Sequence, residues 1–382
     1  MPQLADVIAA LEQWFDPSWA EPWDAVGMTC GDVTTDIARI VLAVDAVPQT
    51  VAEAEAAGAQ LLLTHHPLLL TPVHGVAATD PKGTLVHRMI RAGIAHYVAH
   101  TNADVADPGV SDALADRLGL VDRRPLEALS DEAPDKLVVF VPTDDTGPLI
   151  DALAGAGAGH IGEYERCAWT TVGVGTFRPG AAADPAVGRR GAIESVAETR
   201  IEMVVPRRAL PAVIGALRQA HPYEEPAFDV YPQVPIASTR GTGRIGRLTT
   251  PMTLQEFLSH AAQVLPRTVW GLRAAGDPQR PVRTVAVCGG SGAPFIETAR
   301  RAGADAYLTA DLKHHVTLEA VTERAAGAMA LVDAAHWATE APWLETVAAR
   351  LRERFGTTVD VSTTVTDPWT LHAPSPESSS PT

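Results

Sequence analysis

Two adjacent histidines are the first residues of this 382-residue chain whose type and position suggest chemistry. His65 and His66 directly follow the apolar run 61–63, which predicts a buried strand that ends at the pair. Open α/β sheets bind ligands at the carboxyl ends of their strands, and neutral imidazole is a common ligand of divalent metals. The pair therefore predicts two metal ligands, although a polar turn would also accommodate two histidines.

Three further candidate ligands follow two other predicted strands. Asp104 comes after a strand predicted over 94–98, and a carboxylate beside imidazoles suits Zn, Fe, Mn, Co or Ni. His336 and Glu340 follow a strand predicted over 329–332, and their i, i+4 spacing places both on one face of a helix. A turn-forming aspartate and a polar helix start are the alternatives. Together the five residues predict a site for two divalent ions, bridged by Glu340.

Other residues near these positions could assist such a site. His100 could orient a ligand or be a plain core histidine, and the role of His314 is left open. His315 is the candidate catalytic residue, because it could shuttle a proton or bind substrate near the ions, although both His314 and His315 could simply open a helix. The glycine-rich turn 289–292 could hold a phosphate with its N–H groups, but it matches neither a P-loop nor a GxGxxG pattern.

The elements that must position these residues follow a strand–helix rhythm at both ends of the chain. After an opening helix over 4–15, strands are predicted over 40–44, 61–63 and 94–98, with helices over 49–57 and 85–92. Nearer the C-terminus, strands are predicted over 284–287, 306–308 and 329–332, with a helix over 295–301. This alternation indicates a βαβ core, so the predicted fold class is α/β with two similar halves.

The middle of the chain shows a different order of elements. Strand, helix, two strands, helix and strand are predicted over 136–142, 149–156, 168–176, 199–205, 210–220 and 228–231. This is the split-βαβ, ferredoxin-like order of an α+β domain. The predicted domains are an N-terminal half over 1–129, an insert over 130–235 and a C-terminal half over 236–372, entered through the glycine-rich stretch 238–247. The Ser/Pro-rich tail 373–382 is expected to be disordered.

Composition restricts the classes of partner. The formal net charge of −16 makes nucleic acid a poor partner, because an acidic surface repels phosphate backbones. Cys30, Cys167 and Cys288 are far apart, which argues against a disulfide framework and a cysteine zinc site. The N-terminal segment lacks the features of a signal peptide, and no apolar stretch approaches the length of a membrane span. We therefore expect a cytoplasmic protein that does not bind membranes.

Six stretches, in this order along the chain, resemble the NIF-three-like proteins, a family widely named GTP cyclohydrolase 1 type 2 homologues. They are WDAVGM (23–28), THHPL (64–68), HTNAD (100–104), CGGSG (288–292), DLKHH (311–315) and DAAHWATE (333–340). Three stretches of the middle are similar to the insert that some bacterial members carry, which resembles PII/CutA domains that tend to form trimers. These stretches are GHIGEY (159–164), GVGTFRP (173–179) and HPYEEPA (221–227).

The resemblance implies a homohexamer and two divalent metal ions per chain, whose ligands would be His65, His66, Asp104, His336 and Glu340. It also implies a GTP cyclohydrolase activity, in which metal hydroxide would attack a small nucleotide-like substrate. Ala103, Ala335 and Trp337 depart from the residues usual in the family, and these changes would reshape the pocket without removing a ligand. The alternative, suggested by the PII-like insert, is a non-catalytic metal-binding chaperone or regulatory protein.

Overall fold

The computed structural model describes residues 1–130, 133–234, 237–322 and 329–373. The chain falls into two compact units. Residues Met1–Leu129 and Thr239–Thr382 form the first unit, and Ser130–Ser238 form the inserted unit. The predicted disordered tail lies outside the described residues from position 374 onward. Within the described part of the chain, no helix is both long enough and apolar enough to cross a bilayer.

The N-terminal part of the first unit alternates strands with helices, as the sequence predicts. Its elements are α1 (Leu4–Trp14), β1 (Gly27–Cys30), β2 (Arg39–Ala43), α2 (Pro48–Ala57), β3 (Leu61–Thr64), α3 (Pro81–Arg91), β4 (Ala95–Val98), α4 (Thr101–Asp104), α5 (Val110–Arg117) and β5 (Leu120–Ser130). The helix predicted over 85–92 begins four residues earlier, because Asp80 caps its N-terminus by accepting bonds from the N–H groups of Lys82 and Gly83.

The inserted unit has the predicted ferredoxin-like topology. Its elements are β6 (Asp135–Pro142), α6 (Thr146–Gly155), β7 (Trp169–Phe177), β8 (Glu194–Val205), α7 (Leu210–Ala220) and β9 (Phe228–Tyr231). The four strands form one antiparallel sheet in the order β7-β8-β6-β9. Apolar residues of β6 and β8 pack against α6 and α7, so the two helices cover one face of this sheet.

The C-terminal part completes the first unit. Its elements are β10 (Ala237–Thr253), α8 (Leu254–Val264), β11 (Leu272–Ala275), β12 (Pro281–Ser291), α9 (Ile296–Arg301), β13 (Ala306–Ala310), α10 (His314–Thr322), β14 (Ala330–Ala334), α11 (His336–Phe355) and β15 (Thr358–Val361). The glycine-rich stretch 238–247, expected to lead the chain back into the core, is itself part of β10, which pairs antiparallel with β12. The sequence reasoning missed β1, β5, β11 and β15.

The first unit contains two sheets, and each is buried on both faces. The N-terminal sheet has the order β1-β4-β3-β2-β15 and is parallel except at β1. Leu61 and Leu63 of β3 pack with α1 and α11, whereas Leu62 packs with α2 and α3 on the other face. This arrangement explains why the parallel strands read as continuous apolar runs instead of alternating patterns.

The C-terminal sheet has the order β11-β14-β13-β12-β10-β5, with β12, β13 and β14 parallel. Each half of the first unit therefore contributes an edge strand to the sheet of the other half, since β5 joins the C-terminal sheet and β15 pairs with β2. α11 packs against α5 and β12 as well as β15, which ties the two sheets together. The predicted fold class, two similar α/β halves with an inserted α+β domain, is confirmed.

Candidate metal centre

The carboxyl ends of parallel strands from both sheets direct six polar side chains to one place in the first unit. The segment after β3 supplies two histidines, the segment containing α4 supplies a histidine and an aspartate, and the first turn of α11 supplies a histidine and a glutamate. We call this set the Glu340 cluster: His65, His66, His100, Asp104, His336 and Glu340. Strand ends are the usual position of ligand sites in open α/β sheets.

The carboxylate of Glu340, which is 3% exposed, lies at the centre of the cluster. Its Oε1 is 2.9 Å from Nε2 of His336 and 3.6 Å from Nε2 of His65. Its Oε2 is 3.1 Å from Nε2 of His66. Asp104 contributes a second carboxylate oxygen, 3.6 Å from Nε2 of His65. One buried carboxylate therefore faces three imidazole nitrogens, which is the arrangement expected of a bridging ligand.

Every histidine of the cluster is held at its outer ring nitrogen. Each Nδ1 atom lies 2.7–2.9 Å from an oxygen atom of another residue. Nδ1 of His65 contacts the carbonyl oxygen of Ala99, and the other three contact carboxylates: His66 that of Asp45, His100 that of Asp24 and His336 that of Asp311. Such outer hydrogen bonds fix the tautomer and the ring orientation of metal-binding histidines. They leave each Nε2 atom directed inward, where it can donate its lone pair to an ion.

The aspartates that hold these rings are themselves constrained. Asp24 accepts hydrogen bonds from the N–H and the hydroxyl of Thr101, and Asp45 accepts one from the hydroxyl of Thr366. Burial raises the pKa of Asp24, but the hydrogen bonds from His100 and Thr101 outweigh it and hold the pKa well below its usual range. Asp311 has a positive φ of 58°, an unusual conformation for a residue other than glycine, which directs its carboxylate to His336.

In the absence of an ion, Glu340 makes the cluster a set of charged pairs. Burial disfavours the imidazolium form of His66, but Glu340 and the hydrogen bond to Asp45 outweigh burial and raise the pKa to about 11. The pKa of His336 rises to about 10 because Glu340 and Asp311 likewise outweigh burial. The pKa of Glu340 itself is held well below its usual value, because the three histidines overcome the effect of burial.

The donor atoms fit divalent ions. Nε2 of His65 and Oε2 of Glu340 are buried and have only ion-pair contacts at 3.1–3.6 Å, without a hydrogen bond, although buried polar atoms normally form one. A tetrahedral ion with ligand bonds of about 2.0–2.1 Å holds neighbouring donors roughly 3.4 Å apart, which is the range of the cluster's separations. Two overlapping groups of three residues, His65–His66–His100 and His66–His336–Glu340, could each hold an ion, because within each group the ligand atoms lie within 4.8 Å of one another.

The structure brings together all five predicted ligands and adds His100, whose role the sequence left open. His315 lies elsewhere. It is exposed in the first turn of α10, its ring is 5.2 Å from that of His314, and it makes no hydrogen bond or ion pair with the cluster among the described residues. Its catalytic role stays a prediction, as do the metal ligation itself and the number of ions.

The glycine-rich turn at the end of β12 lies against the cluster. The sequence suggested that N–H groups of this turn could hold a phosphate. In the structure the N–H groups of Gly289, Gly290 and Gly292 instead donate to the hydroxyls of, respectively, Ser111, Thr339 and Thr309, so these three are not free to bind a phosphate. Gly290 has a φ of 64°, and a Cβ there would lie 2.5 Å from Oε1 of Glu340. The glycine therefore makes room for the central carboxylate.

Sequence reasoning did not assign the outer partners of the histidines. Asp45 was visible as the polar residue that ends the apolar run of β2, and Asp24 and Asp311 lie inside motifs already singled out. Trp343, one turn after Glu340 in α11, is fully buried with its ring 5.3 Å from that of His65. Its i, i+3 spacing from Glu340 was the available signal, because this spacing places two side chains on one helix face.

His96, which contacts the residue that precedes His65, predicts a sensitivity of the protein to acid. It is fully buried in β4, and its Nε2 contacts the hydroxyl of Thr64, which donates to the carbonyl of His66. Burial lowers the pKa of His96 to about 4, against about 6.5 in an unfolded chain. The unfolded state therefore takes up the proton first, and stability falls as pH decreases from about 6.5 towards 4, with a loss of roughly 2 kcal/mol by pH 5.

Urea denaturation at pH 7 and pH 5 tests this effect of His96. The variant His96→Gln keeps a donor for Thr64 and removes the ionisation, so its loss of stability between the two pH values should be smaller than that of the wild type. Equal losses in the two proteins would show that His96 does not contribute.

The chain matches the family model described as Duf34/NIF3 (NGG1p interacting factor 3) over residues 2–368. A Mycobacterium leprae protein named "GTP cyclohydrolase 1 type 2 homolog" is 49% identical over 374 residues, covering 97% of this chain and 96% of that protein. A Bacillus subtilis protein of the same name is 37% identical over 370 residues, covering 96% and 97%.

Solved structures are similar over the same length. The crystal structure of a Bacillus cereus protein related to NIF3 has a TM-score of 0.68 and 35% identity, covering 97% of this chain and 99% of that one. Staphylococcus aureus protein SA1388 has a TM-score of 0.78 and 27% identity, with the same coverage. The family model and these relatives extend across the inserted unit as well as the first unit, and the chain therefore belongs to the Duf34/NIF3 family.

Proposed function

We propose that this protein binds two divalent metal ions at the Glu340 cluster and hydrolyses a small nucleotide-like substrate there. The observation that supports it is the convergence of three inward-facing Nε2 atoms, those of His65, His66 and His336, on the buried carboxylate of Glu340. The proposed ligands are His65, His66, Asp104, His336 and Glu340. The donor set of imidazole and carboxylate suits Zn, Fe, Mn, Co or Ni.

Two bound ions would supply Lewis acidity and a nucleophile at neutral pH. Residues of the chain fix the positions of the proposed ligands. Asp45 and Asp311 hold the rings of His66 and His336 so that their inner nitrogens meet at Glu340. Gly290 lets the central carboxylate approach the end of β12 without a clash. The burial of Glu340 limits access of bulk water, which strengthens every electrostatic interaction within the cluster.

Trp23 supports a planar, nucleotide-like substrate. Its indole is 59% exposed, which is unusual for so large an apolar ring, and it packs edge-on at 6.1 Å from the ring of His100. The ring of His100 is in turn 5.1 Å from that of His65. An exposed indole beside the cluster offers a face on which a nucleobase can stack. The name of the Mycobacterium leprae and Bacillus subtilis relatives, GTP cyclohydrolase 1 type 2 homolog, supports the same substrate class.

Elemental analysis of protein purified without chelator tests the proposal. We expect about two ions per chain in the wild type, and a clear loss of metal in His66→Ala with the fold intact by circular dichroism. His74→Ala is the matched control, because His74 is an exposed histidine of the same unit outside the cluster. Nucleotide hydrolysis by the metal-loaded protein, absent in His66→Ala, would support the enzymatic part.

Two outcomes would contradict the proposal in different ways. A wild-type protein without metal, or metal content unaffected by His66→Ala, would contradict the metal site itself. Two ions per chain without turnover across a broad nucleotide panel would favour the non-catalytic metal-binding alternative. The homohexamer and the cytoplasmic location stay predictions, and sedimentation of the purified protein would test the assembly.

A further inference from the structure

The inserted unit contains a cavity of about 380 Å³, within the size range of small-ligand pockets. Its strand residues include Phe140, Phe177 and Glu198. Phe140 alternates with Val139 and Val141, which pack against the helices of this unit. Successive side chains of a strand point to opposite faces, so the cavity lies on the sheet face that the helices leave open.

The motif HPYEEP, residues 221–226, builds one wall of this cavity. His221 is 6% exposed, and its two ring nitrogens are both engaged by the backbone. Nε2 lies 2.8 Å from the carbonyl oxygen of Phe140, and Nδ1 accepts the N–H of Tyr223 at 3.0 Å. These bonds fix the position of Tyr223, whose ring lies 5.8 Å from that of Phe177. The motif therefore arranges aromatic rings around the cavity.

The cavity is acidic as well as aromatic. Oε1 of Glu198 accepts a hydrogen bond from the hydroxyl of Tyr223 at 3.0 Å. A Cβ at position 175 would lie 1.9 Å from Oε2 of Glu198, so Gly175 makes room for this carboxylate. Glu224 accepts the N–H of Asp184 at 2.9 Å, which ties the loop bearing Asp184 to the motif.

Two arginines border the cavity: Arg200, and Arg190, which donates to the carbonyl oxygen of the lining residue Ala183 and lies 3.9 Å from the carboxylate of Asp184. Glu225 is a third carboxylate in the lining, and none of the described lining residues is a lysine or an arginine. Arg200 lies on the same sheet face, 5.8 Å from the ring of Phe140, but it pairs with Glu202 at 3.0 Å. The lining thus combines three carboxylates with the rings of Phe140, Phe177 and Tyr223.

We propose that this cavity binds a small organic ammonium ion, with its apolar or methylated body against Phe140, Phe177 and Tyr223 and its charge beside Glu198. Aromatic faces attract cations, and ammonium groups with methyl substituents are the usual ligands of aromatic cages. A phosphate or carboxylate ligand would be repelled by the three glutamates. A wholly apolar ligand would cover Glu198 without supplying an opposite charge, at a cost in free energy. This site is separate from the Glu340 cluster and goes beyond the proposed function.

Choline is a suitable probe, because 3,3-dimethyl-1-butanol has the same shape without the charge. Calorimetric titration of the full chain should show one choline site per chain, and the neutral alcohol should bind at least about tenfold more weakly. Glu198→Gln and Phe177→Ala should each weaken choline binding by about tenfold or more. Glu163→Gln is the matched control, because Glu163 is an exposed carboxylate of the same unit outside the cavity.

Three outcomes would overturn the proposal. Absence of choline binding to the wild type would do so, as would equal affinities for choline and the neutral alcohol. Unchanged choline binding in both Glu198→Gln and Phe177→Ala would place the ligand elsewhere. Sedimentation of the same samples distinguishes another occupant: if choline does not bind and Glu198→Gln changes the assembly, the cavity accommodates a second copy of the chain. The metal content should be the same in all these variants, which separates this test from that of the Glu340 cluster.

Discussion

Replacing Glu340 by glutamine should abolish the stabilisation of this protein by divalent ions, with a loss of metal affinity of more than about a hundredfold. Loss of a residue that only hydrogen-bonds a metal ligand already lowers metal affinity roughly ten- to a hundredfold. Glu340 contacts the inner nitrogens of three histidines, His65, His66 and His336, at 2.9–3.6 Å. Its negative charge therefore acts on all three. Glutamine keeps the size of the side chain but presents an uncharged amide to the ions.

Thermal unfolding with and without added ion measures this effect. Wild-type protein at an ion concentration of 100 times Kd should gain about 2.7 kcal/mol for each site, whereas Glu340→Gln should gain almost nothing. Glu345→Gln is the matched control, because Glu345 lies on the same helix with its side chain 68% exposed. An undiminished gain in Glu340→Gln would mean that the stabilising ions bind outside the cluster.

Metal-free Glu340→Gln should also be less stable than metal-free wild type, and the difference in the free energy of unfolding should depend on pH. In the wild type, Glu340 contributes to raising the pKa of His66 to about 11 and that of His336 to about 10. The stabilisation from these raised values is fully present below the unfolded pKa of about 6.5 and is lost as pH rises through the folded values. Metal-free Glu340→Gln should therefore differ more from metal-free wild type at pH 6 than at pH 10.

The predicted metal ligands could be found from sequence because each follows a local signal. His65 and His66 end an apolar run, and His336 and Glu340 have helical spacing at the start of α11. The outer partners could not be assigned in this way. Asp45 reaches His66 from the end of a neighbouring strand, and Asp311 reaches His336 from the end of another. Such contacts depend on strand order, which local patterns do not specify.

The two histidines left uncertain by the sequence show the same limit. His100 and His315 both follow predicted strands within recognisable motifs, so local pattern does not distinguish them. Asp24, far away in the chain, holds the ring of His100 and directs its Nε2 atom into the cluster. His315 has no comparable partner among the described residues and lies exposed on α10. Tertiary partners therefore decide which histidine belongs to the site.

The exchange of edge strands was also beyond local pattern. The four residues of β15 follow α11 and could equally extend the nearer C-terminal sheet, yet they pair with β2 of the other half. The reason lies in packing, because α11 contributes Trp343, Leu344 and Val347 to the core of the N-terminal sheet and thereby carries β15 to its edge. The helix that supplies two side chains of the cluster thus also joins the two halves.

Arg244 makes the second connection between the halves, and Arg244→Met should destabilise the first unit by roughly 3–5 kcal/mol. The guanidinium is 2% exposed and pairs with Asp112 of α5 at 2.7 Å. It also donates to the carbonyl oxygens of Gly241, Gly243 and Ala106. Methionine fills a similar volume but leaves the Asp112 carboxylate buried without its counterion, which is the costly part of breaking a buried pair.

Urea denaturation followed by tryptophan fluorescence measures this loss in the first unit. Trp169 is the single tryptophan of the inserted unit, so the other seven of the eight report on the first unit. Arg247→Met on the same strand is the matched control, because its ion pair with Asp122 is exposed and should contribute at most about 1 kcal/mol.

The double variant Arg244→Met with Asp112→Leu separates the two possible causes of the destabilisation by Arg244→Met. If an unpaired buried carboxylate is responsible, removing it should restore part of the stability lost in the single variant. Recovery should be incomplete, because Asp112 also accepts the N–H of Gly109 at the start of α5. A double variant as unstable as the sum of the two single variants would instead assign the destabilisation to the lost hydrogen bonds of Arg244 to backbone carbonyls.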